Sequence, residues 1–181
     1  MRALSLGNDD ALSFSDTNSM IRPVTLADAA AITNIYNYYI EHTSISFETE
    51  PLTTEQMGKR IVAISSHYPY LVYEAEGKIA GYCYVHAWKE RAAYSQTMET
   101  TIYLDPGHKR KGIGKQLMDR LISLCREAGY HALVACITAS NQESREFHAR
   151  LGFSEASHFK EVGYKLGEWH DVVDYELLLK P

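Results

Sequence analysis

The stretch at residues 104–117 decides the fold, and it reads Leu104-Asp-Pro-Gly-His-Lys-Arg-Lys-Gly-Ile-Gly-Lys-Gln-Leu117. A β-prone run at 100–104 leads into it and stops at Pro106. Apolar residues then recur at helical spacing, which predicts a long helix at about 111–128 that stops at Gly129. The order of strand, glycine-bearing turn and helix start is the order that builds an anion-binding site.

The turn itself has two features that suit a phosphate. The first turn of a helix has unpaired backbone N–H groups and the positive end of the helix dipole, and Gly112 and Gly114 let a ligand approach without meeting a Cβ. The basic residues 109–111 add positive charge, although three adjacent basic residues are also common on a solvated surface. The pattern is neither a Walker nor a Rossmann motif, since Leu117 occupies the third Rossmann position. We therefore predict a phosphorylated cofactor or substrate.

The composition of the whole chain is that of one ordinary domain. Its 181 residues are 45% hydrophobic and 23% charged, and a net charge of −5 argues against a nucleic-acid partner. The apolar stretches are too short to span a membrane. Cys83, Cys125 and Cys136 lie far apart in apolar contexts, so we expect buried thiols in a reducing cytoplasm, with no disulfide framework and no metal site.

Residues 1–19 differ from the rest of the chain. They are too weakly apolar for a signal peptide, and the part from residue 8 onward is polar and acidic. We expect residues 1–19 to be a mobile N-terminal extension and residues 20–181 to form a single domain.

The remaining segments predict an α/β fold. Thr25 and Asp28 resemble a capping box before a first helix, and Thr53 or Thr54 caps a second helix. The other predicted elements are a hairpin at 70–85, strands at 97–104 and 132–138, a short helix at 141–151 and a last strand at 171–179. Since 132–138 is continuously apolar, we expect it to be covered on both faces. The order β-α-α-β-β-β-α-β-α-β-β predicts one sheet with helices packed against it.

That order, with Leu104-x-Pro106, the turn at 109–114 and Asn141 followed by Gly152-Phe153, resembles the GNAT superfamily of acyl-CoA N-acyltransferases. The likeness extends over about residues 21–179. It implies a single-domain GNAT fold: a mixed, mostly antiparallel sheet with helices on its faces and a splay between two central parallel strands.

Three shorter stretches are similar to the phosphinothricin/methionine sulfoximine acetyltransferase family within that superfamily. They lie at 20–23, 98–104 and 162–172. The last contains the pattern Gly-x-Lys-x-Gly-x-Trp-x-Asp, just before the predicted final strand, and is the most specific of the three.

The resemblance implies acetyl-CoA as co-substrate and no metal. The pyrophosphate would lie on the backbone of Arg110, Lys111, Gly112, Ile113, Gly114 and Lys115. The pantetheine arm would pair like an added strand with Ile102, Tyr103 and Leu104, and the Asn141 side chain would hold its amide. Lys109 stands where the family usually has Arg or Gln, so we expect weaker cofactor binding but not its loss.

Two residues are candidates for proton transfer. Acetylation of an amine requires that the amine lose a proton, and Glu99 matches the glutamate that serves the family as general base. The alternative from the strand pattern is that Glu99 points outward. His148 lies seven residues after Asn141, two turns along one predicted helix, where many members of the superfamily have Tyr. It suits proton donation or acceptance; the alternative is a surface histidine near a helix end. The N–H of Ile102 could stabilise the oxyanion.

The acceptor would be held by a loop that mixes cations with aromatics, at 86–94. Arg91 could clamp a carboxylate or phosphinate and Tyr94 could add a hydroxyl, with Ala92 and Ala93 between them. Phe47 resembles the apolar lid of the family. Any of these could instead be an ordinary loop residue. Because 88–94 is net cationic, an anionic acceptor is favoured over a polyamine.

The predicted function is transfer of acetyl from acetyl-CoA to the α-amino group of a small amino acid analogue. Phosphinothricin, methionine sulfoximine and methionine sulfone are the acceptors that the resemblance implies, with direct attack in a ternary complex, and family members are often homodimers. The open alternatives are an N-acetyltransferase for a protein N-terminus or a polyamine, and a CoA-binding sensor that lacks catalysis.

Overall fold

The computed structural model describes residues 19–179, and their elements follow the predicted order. The predicted extension therefore lies outside the described residues, apart from Ser19. In chain order the described elements are β1 (Ser19–Pro23), α1 (Ala29–His42), α2 (Thr54–Ser65), β2 (Tyr70–Ala75), β3 (Lys78–Ala87), β4 (Thr97–Leu104), α3 (Ile113–Glu127), β5 (Ala132–Thr138), α4 (Gln142–Arg150), β6 (Ser154–Lys165) and β7 (Glu168–Leu178).

Between residues 19 and 179 the seven strands form one sheet in the order β1-β2-β3-β4-β5-β7-β6. Neighbouring strands are antiparallel except β4 and β5, which are parallel. The parallel pairing runs from Thr97 opposite Ala132 to Glu99 opposite Val134 and ends there, although β4 continues to Leu104. The predicted splay between two central parallel strands is thus confirmed, and it begins directly after Glu99.

The two faces of the sheet are covered by different helices. On one face, Leu117 and Leu121 of α3 are fully buried against the sheet, together with Leu133 of β5. On the other face, Ile32 of α1 and Ile61 of α2 pack against the sheet. Truncating one of these buried Leu or Ile side chains to Ala typically lowers the free energy of unfolding by about 2–5 kcal/mol. Packing against the helices therefore stabilises the sheet from both faces.

Capping residues at the predicted positions precede both helices, α1 and α2. The side chain of Asp28 accepts a hydrogen bond from the Thr25 backbone at 2.8 Å, and this box closes a short 3₁₀ turn at 26–28 that continues into α1. Thr53, not Thr54, is the N-cap of α2, where it accepts a hydrogen bond from the Gln56 backbone.

Two sequence expectations need correction. The last strand begins at Glu168 instead of about 171, because Leu166 and Gly167 have φ values of 53° and 83° and form a tight hairpin turn. The pattern at 162–172 therefore spans this hairpin. Cys83 and Cys125 are buried as expected, but Cys136 is exposed, since β4 no longer pairs with that part of β5, which keeps β7 as its neighbour on the other side.

Within residues 19–179 no helix is long and apolar enough to cross a membrane. The same residues contain no group of three or more His, Cys, Asp or Glu side chains placed to hold a metal ion.

Candidate active site

A cavity of about 690 Å³ follows the gap between β4 and β5. It is lined by residues of the cationic turn and the start of α3, and by aromatic side chains of α1 and of the loop between α1 and α2. The cavity brings together these predicted site residues: Phe47, Glu99, Ile102, Tyr103, Leu104, Arg110, Gly112, Gly114, Lys115, Asn141 and His148.

The backbone of β4 offers hydrogen-bonding groups to the cavity. Asp105 donates its N–H to the Ala80 carbonyl at 2.9 Å, while Leu104 lies opposite Gly81. In an antiparallel ladder this pattern means that Leu104 directs its own N–H and C=O away from β3, and Ile102 does the same by alternation. The Leu104 carbonyl accepts a hydrogen bond from the Tyr39 hydroxyl at 2.6 Å. The N–H and C=O of Ile102 therefore face the splay, where β5 no longer pairs with them.

The cationic turn has the backbone of an anion site. Gly112, the N-cap of α3, is left-handed with φ 78°, and Arg110 also has a positive φ, of 61°. The first intrahelical bond runs from Gln116 N–H to the Gly112 carbonyl, so the preceding N–H groups of the helix start have no partner in the helix. Lys111 and Ile113 belong to this segment but do not line the cavity.

An acidic side chain faces this turn from α4. The Glu143 carboxylate lies 3.4 Å from Lys109 Nζ and 4.0 Å from Arg110 Nε. All three residues line the cavity. Glu143 thus offsets part of the positive charge of Lys109 and Arg110.

Glu99 lies where the splay opens. Its side chain is 29% exposed and lines the cavity, with Oε1 3.8 Å from His86 Nε2 on the neighbouring strand. Burial raises the pKa of Glu99, the charge of protonated His86 lowers it and the charge of Asp174 raises it. A carboxylate with a raised pKa is a better proton acceptor than an ordinary surface glutamate.

His148 is buried, which contradicts the alternative of a surface histidine. The residue is 3% exposed, and burial lowers its pKa. Nδ1 lies 2.8 Å from the Ser144 carbonyl, and because a carbonyl only accepts hydrogen bonds, Nδ1 carries the proton. The neutral ring thus presents the lone pair of Nε2, which makes His148 an acceptor.

Asn141 is the N-cap of α4, which explains its place at the cavity. Its side-chain oxygen accepts a hydrogen bond from the Ser144 backbone at 3.2 Å. This cap uses the oxygen of the amide, so the Nδ2 hydrogens remain for a ligand carbonyl.

The loop between α1 and α2 also lines the cavity, and several of its contacts were missed from the sequence. Buried Lys165 on β6 donates a hydrogen bond to the Ser46 carbonyl at 2.6 Å, and Thr138 donates to the Ser44 carbonyl at 2.7 Å. The Ser46 hydroxyl donates to Tyr36, whose hydroxyl donates to Glu48. Ile45 of the loop and Tyr84 of β3 are among the further lining residues that the sequence did not reveal. The high tyrosine count, 13, was the only signal in the sequence.

Phe47 lies against the β6–β7 hairpin. A Cβ added to Gly163 would overlap the Phe47 ring, and the ring centre of His170 lies 6.1 Å from that of Phe47. Gly163 therefore makes room for the aromatic wall of the cavity.

Gly163→Ala tests this wall. Because the φ of Gly163 is not positive, alanine fits the backbone, and the expected result is displacement of Phe47 alone. We expect KM for the acceptor to rise by about tenfold, the factor that 1.4 kcal/mol represents, with unchanged affinity for the acetyl donor. Steady-state kinetics measure the first and calorimetry the second. Gly58→Ala is the control, since a Cβ there meets only Leu26 at 3.8 Å; an equal effect in both variants would contradict the assignment.

The predicted acceptor clamp lies elsewhere on the surface. Arg91 precedes a 3₁₀ turn formed by Ala92, Ala93 and Tyr94, and these residues do not line the cavity. Tyr94 packs edge-on against Trp88, with ring centroids 5.4 Å apart. Contact between this segment and an acceptor stays a prediction.

Comparison with known proteins gives consistent matches. Residues 21–173 match the family described as an acetyltransferase (GNAT) domain. The phosphinothricin N-acetyltransferase of Streptomyces viridochromogenes is 39% identical over 165 residues, 89% of this chain and 90% of that protein. The L-methionine sulfoximine/L-methionine sulfone acetyltransferase of Salmonella typhimurium is 34% identical, over 88% of this chain and 94% of that protein. The crystal structure of a phosphinothricin acetyltransferase from Sinorhizobium meliloti in complex with acetyl-CoA is 32% identical, has a TM-score of 0.86, and covers 90% of this chain and 89% of that one.

Proposed function

The chain belongs to the GNAT acetyltransferase family, and from that premise we propose that it acetylates the α-amino group of a small amino acid analogue. The donor is acetyl-CoA, and the acceptors are phosphinothricin, methionine sulfoximine or methionine sulfone, as the names of the relatives suggest. One observation carries the proposal: a single cavity joins the cationic turn, the free edge of β4 and Glu99.

The chain has suitable groups for each part of coenzyme A. The N–H groups at the start of α3 and the cations of the turn suit a diphosphate. Beyond Glu99, β4 no longer pairs with β5, so the Ile102 C=O and the Leu104 N–H can bond the pantetheine amides as an added strand would, which leaves the Ile102 N–H for the oxyanion. The Asn141 amide is placed to donate to a pantetheine carbonyl.

Glu99 is the proposed general base. An α-amino group with a pKa of about 8 is mostly protonated at neutral pH, and Glu99 accepts that proton before the nitrogen attacks the thioester carbon. The Ile102 N–H stabilises the oxyanion that forms. His148, neutral and buried, lines the cavity and offers Nε2 as a second proton acceptor.

Attack is direct in this proposal, without an acyl-enzyme. Cys136 lines the cavity, but partial burial, followed by the charges of Asp174 and Glu99, raises its pKa to about 12. A thiol with such a pKa is almost entirely protonated at neutral pH and is a poor nucleophile.

Thiol release from acetyl-CoA, with and without methionine sulfoximine, tests the function. Release that requires the amine supports the proposed enzyme. Tight binding of acetyl-CoA without acceptor-dependent release by any amino acid analogue would instead support a sensor, and turnover with peptides or polyamines alone would support the other acetyltransferases.

Glu143→Gln is expected to strengthen the binding of coenzyme A. The carboxylate near Lys109 and Arg110 competes with a diphosphate for the same cations, and glutamine removes that competition. Since exposed ion pairs are typically worth about 0.2–1 kcal/mol, the dissociation constant should fall about twofold to fivefold. Calorimetry at low and high salt measures the change, which should shrink as salt increases.

Glu146→Gln is the matched control for that variant. Glu146 lies on the same helix with similar exposure but pairs with Arg150 instead of the turn. Equal strengthening by both variants would indicate a general charge effect and would remove the assigned competition.

A further inference from the structure

A row of polar side chains crosses the sheet where the splay opens. Five adjacent strands contribute one residue each: His86, Glu99, Cys136, Asp174 and Ser157. Residues directly opposite each other in paired strands share a face of the sheet. That relation joins His86 to Glu99, Cys136 to Asp174 and Asp174 to Ser157.

The parallel strands β4 and β5 connect His86 and Glu99 with Cys136, Asp174 and Ser157. Glu99 lies opposite Val134, and Cys136, two residues further along β5, faces the same side as Val134. Glu99 therefore has a histidine on one side of it and a carboxylate, two strands away, on the other.

The backbone of the next residue, Ala87, holds the His86 ring in place. Nδ1 lies 3.0 Å from the Ala87 carbonyl, so Nδ1 carries the proton in the neutral ring. The lone pair of Nε2 then faces Glu99 Oε1 at 3.8 Å, too long for a hydrogen bond. Both side chains are partly exposed, 37% and 29%, so a small torsional change or one bridging water closes the gap.

Asp174 is held on the opposite side. The Ser157 hydroxyl donates a hydrogen bond to Asp174 Oδ2 at 2.8 Å, which fixes the carboxylate. Its charge raises the pKa of Glu99, after burial, whereas protonated His86 lowers it. The other titratable groups facing this region are Tyr84 on β3, Cys136 on β5 and Glu48 on the loop between α1 and α2, which Arg60 engages.

We propose that His86 is the proton exit of Glu99 and that Asp174 is a positioning residue that keeps Glu99 a strong enough base. The proposal rests on the role of Glu99 in the proposed function. In the step, the acceptor ammonium gives its proton to the Glu99 carboxylate and becomes a free amine. Glu99 passes the proton to His86 Nε2, and the imidazolium releases it to water. Glu99 returns to its anionic form for the next turnover.

The test compares the pH dependence of kcat/KM for the acceptor in His86→Gln and Asp174→Asn. Activity on the acid side rises as Glu99 ionises, so the midpoint follows the pKa of Glu99 in the free enzyme. Removing the cation at 86 raises that pKa, and the midpoint moves to higher pH. Removing the anion at 174 lowers it, and the midpoint moves to lower pH. We expect opposite shifts of about half a pH unit each, within the range of nearby-charge effects.

A second measurement, of kcat, tests the role of His86 as proton exit separately from the effect of its charge on Glu99. His86→Gln should lower kcat about threefold to tenfold, less than direct loss of a general base, and added imidazole should restore it. His67→Gln is the control, because His67 is also exposed and lies outside the cavity. Shifts in the same direction, or no shift together with no rescue by imidazole, would overturn the inference. If wild-type enzyme shows no acetyl transfer, or Glu99→Gln is fully active, the proposed function itself fails.

Discussion

Replacing Glu99 by Gln is expected to lower kcat for acetyl transfer about 10²–10⁴-fold, the range that general-base catalysis typically contributes. Glutamine has nearly the same shape but cannot accept the proton of the acceptor ammonium. The side chain lines the cavity at the last residue of the parallel pairing, where β4 and β5 separate. The coenzyme is expected to bind through backbone groups and the turn. The dissociation constant of acetyl-CoA should therefore stay within about twofold of the wild-type value, whereas a tenfold change would correspond to about 1.4 kcal/mol.

Three measurements decide this prediction. Single-turnover acetylation gives the loss of rate, calorimetry gives the affinity for acetyl-CoA, and a rate measured at high pH tests whether a pre-deprotonated amine bypasses the base. Glu90→Gln is the control, since Glu90 is exposed on the loop after β3 and lies outside the cavity. Equal loss of rate and of coenzyme affinity would remove Glu99 from the role of base.

The parts of the site that could be predicted from the sequence depend on residues that are close together in the chain. Pro106, Gly112 and the apolar repeat of α3 lie within about 20 residues of each other, and their conformations follow from steric rules for proline and glycine. The start of α3 at Ile113 and the left-handed Gly112 agree with that reading. The splay was implied by the family resemblance and is confirmed by the end of the pairing at Glu99.

The parts that could not be predicted depend on register between distant segments. Lys165 reaches the Ser46 carbonyl across 119 positions of the chain. Cys136 reads as one residue of a buried apolar strand, and its exposure becomes evident only once β4 is known to diverge from β5. A shift of one residue would turn each of these side chains to the other face of the sheet.

The same dependence explains why the acceptor end was harder to predict than the coenzyme end. A phosphate is recognised by backbone groups, which a short motif fixes. An acceptor is recognised by side chains from several elements, and no short motif fixes how those elements come together. Arg91 precedes a 3₁₀ turn and does not line the cavity, so its contact with an acceptor stays a prediction.

Gly114→Val is expected to weaken acetyl-CoA binding at least about thirtyfold, or about 2 kcal/mol. Gly114 is buried in the first turn of α3, and a Cβ there would lie 3.4 Å from the Phe147 ring and 3.5 Å from Leu104 Cδ1. Alanine would need only a small adjustment. The two further methyl groups of valine would press α4 and the end of β4 away from the helix start. The backbone N–H groups and the Ile102 edge would then no longer fit one coenzyme.

Calorimetric titration with coenzyme A measures the effect, at a temperature well below the Tm of the variant, since overpacking typically costs about 1–3 kcal/mol of stability. Gly114→Ala should bind within about fivefold of wild type, a loss of about 1 kcal/mol, and separates loss of fit from loss of folding. Gly58→Val is the control for a β-branched residue in a helix, because a Cβ at that position meets only Leu26. Wild-type affinity in a folded Gly114→Val protein would show that the coenzyme does not lie on this turn.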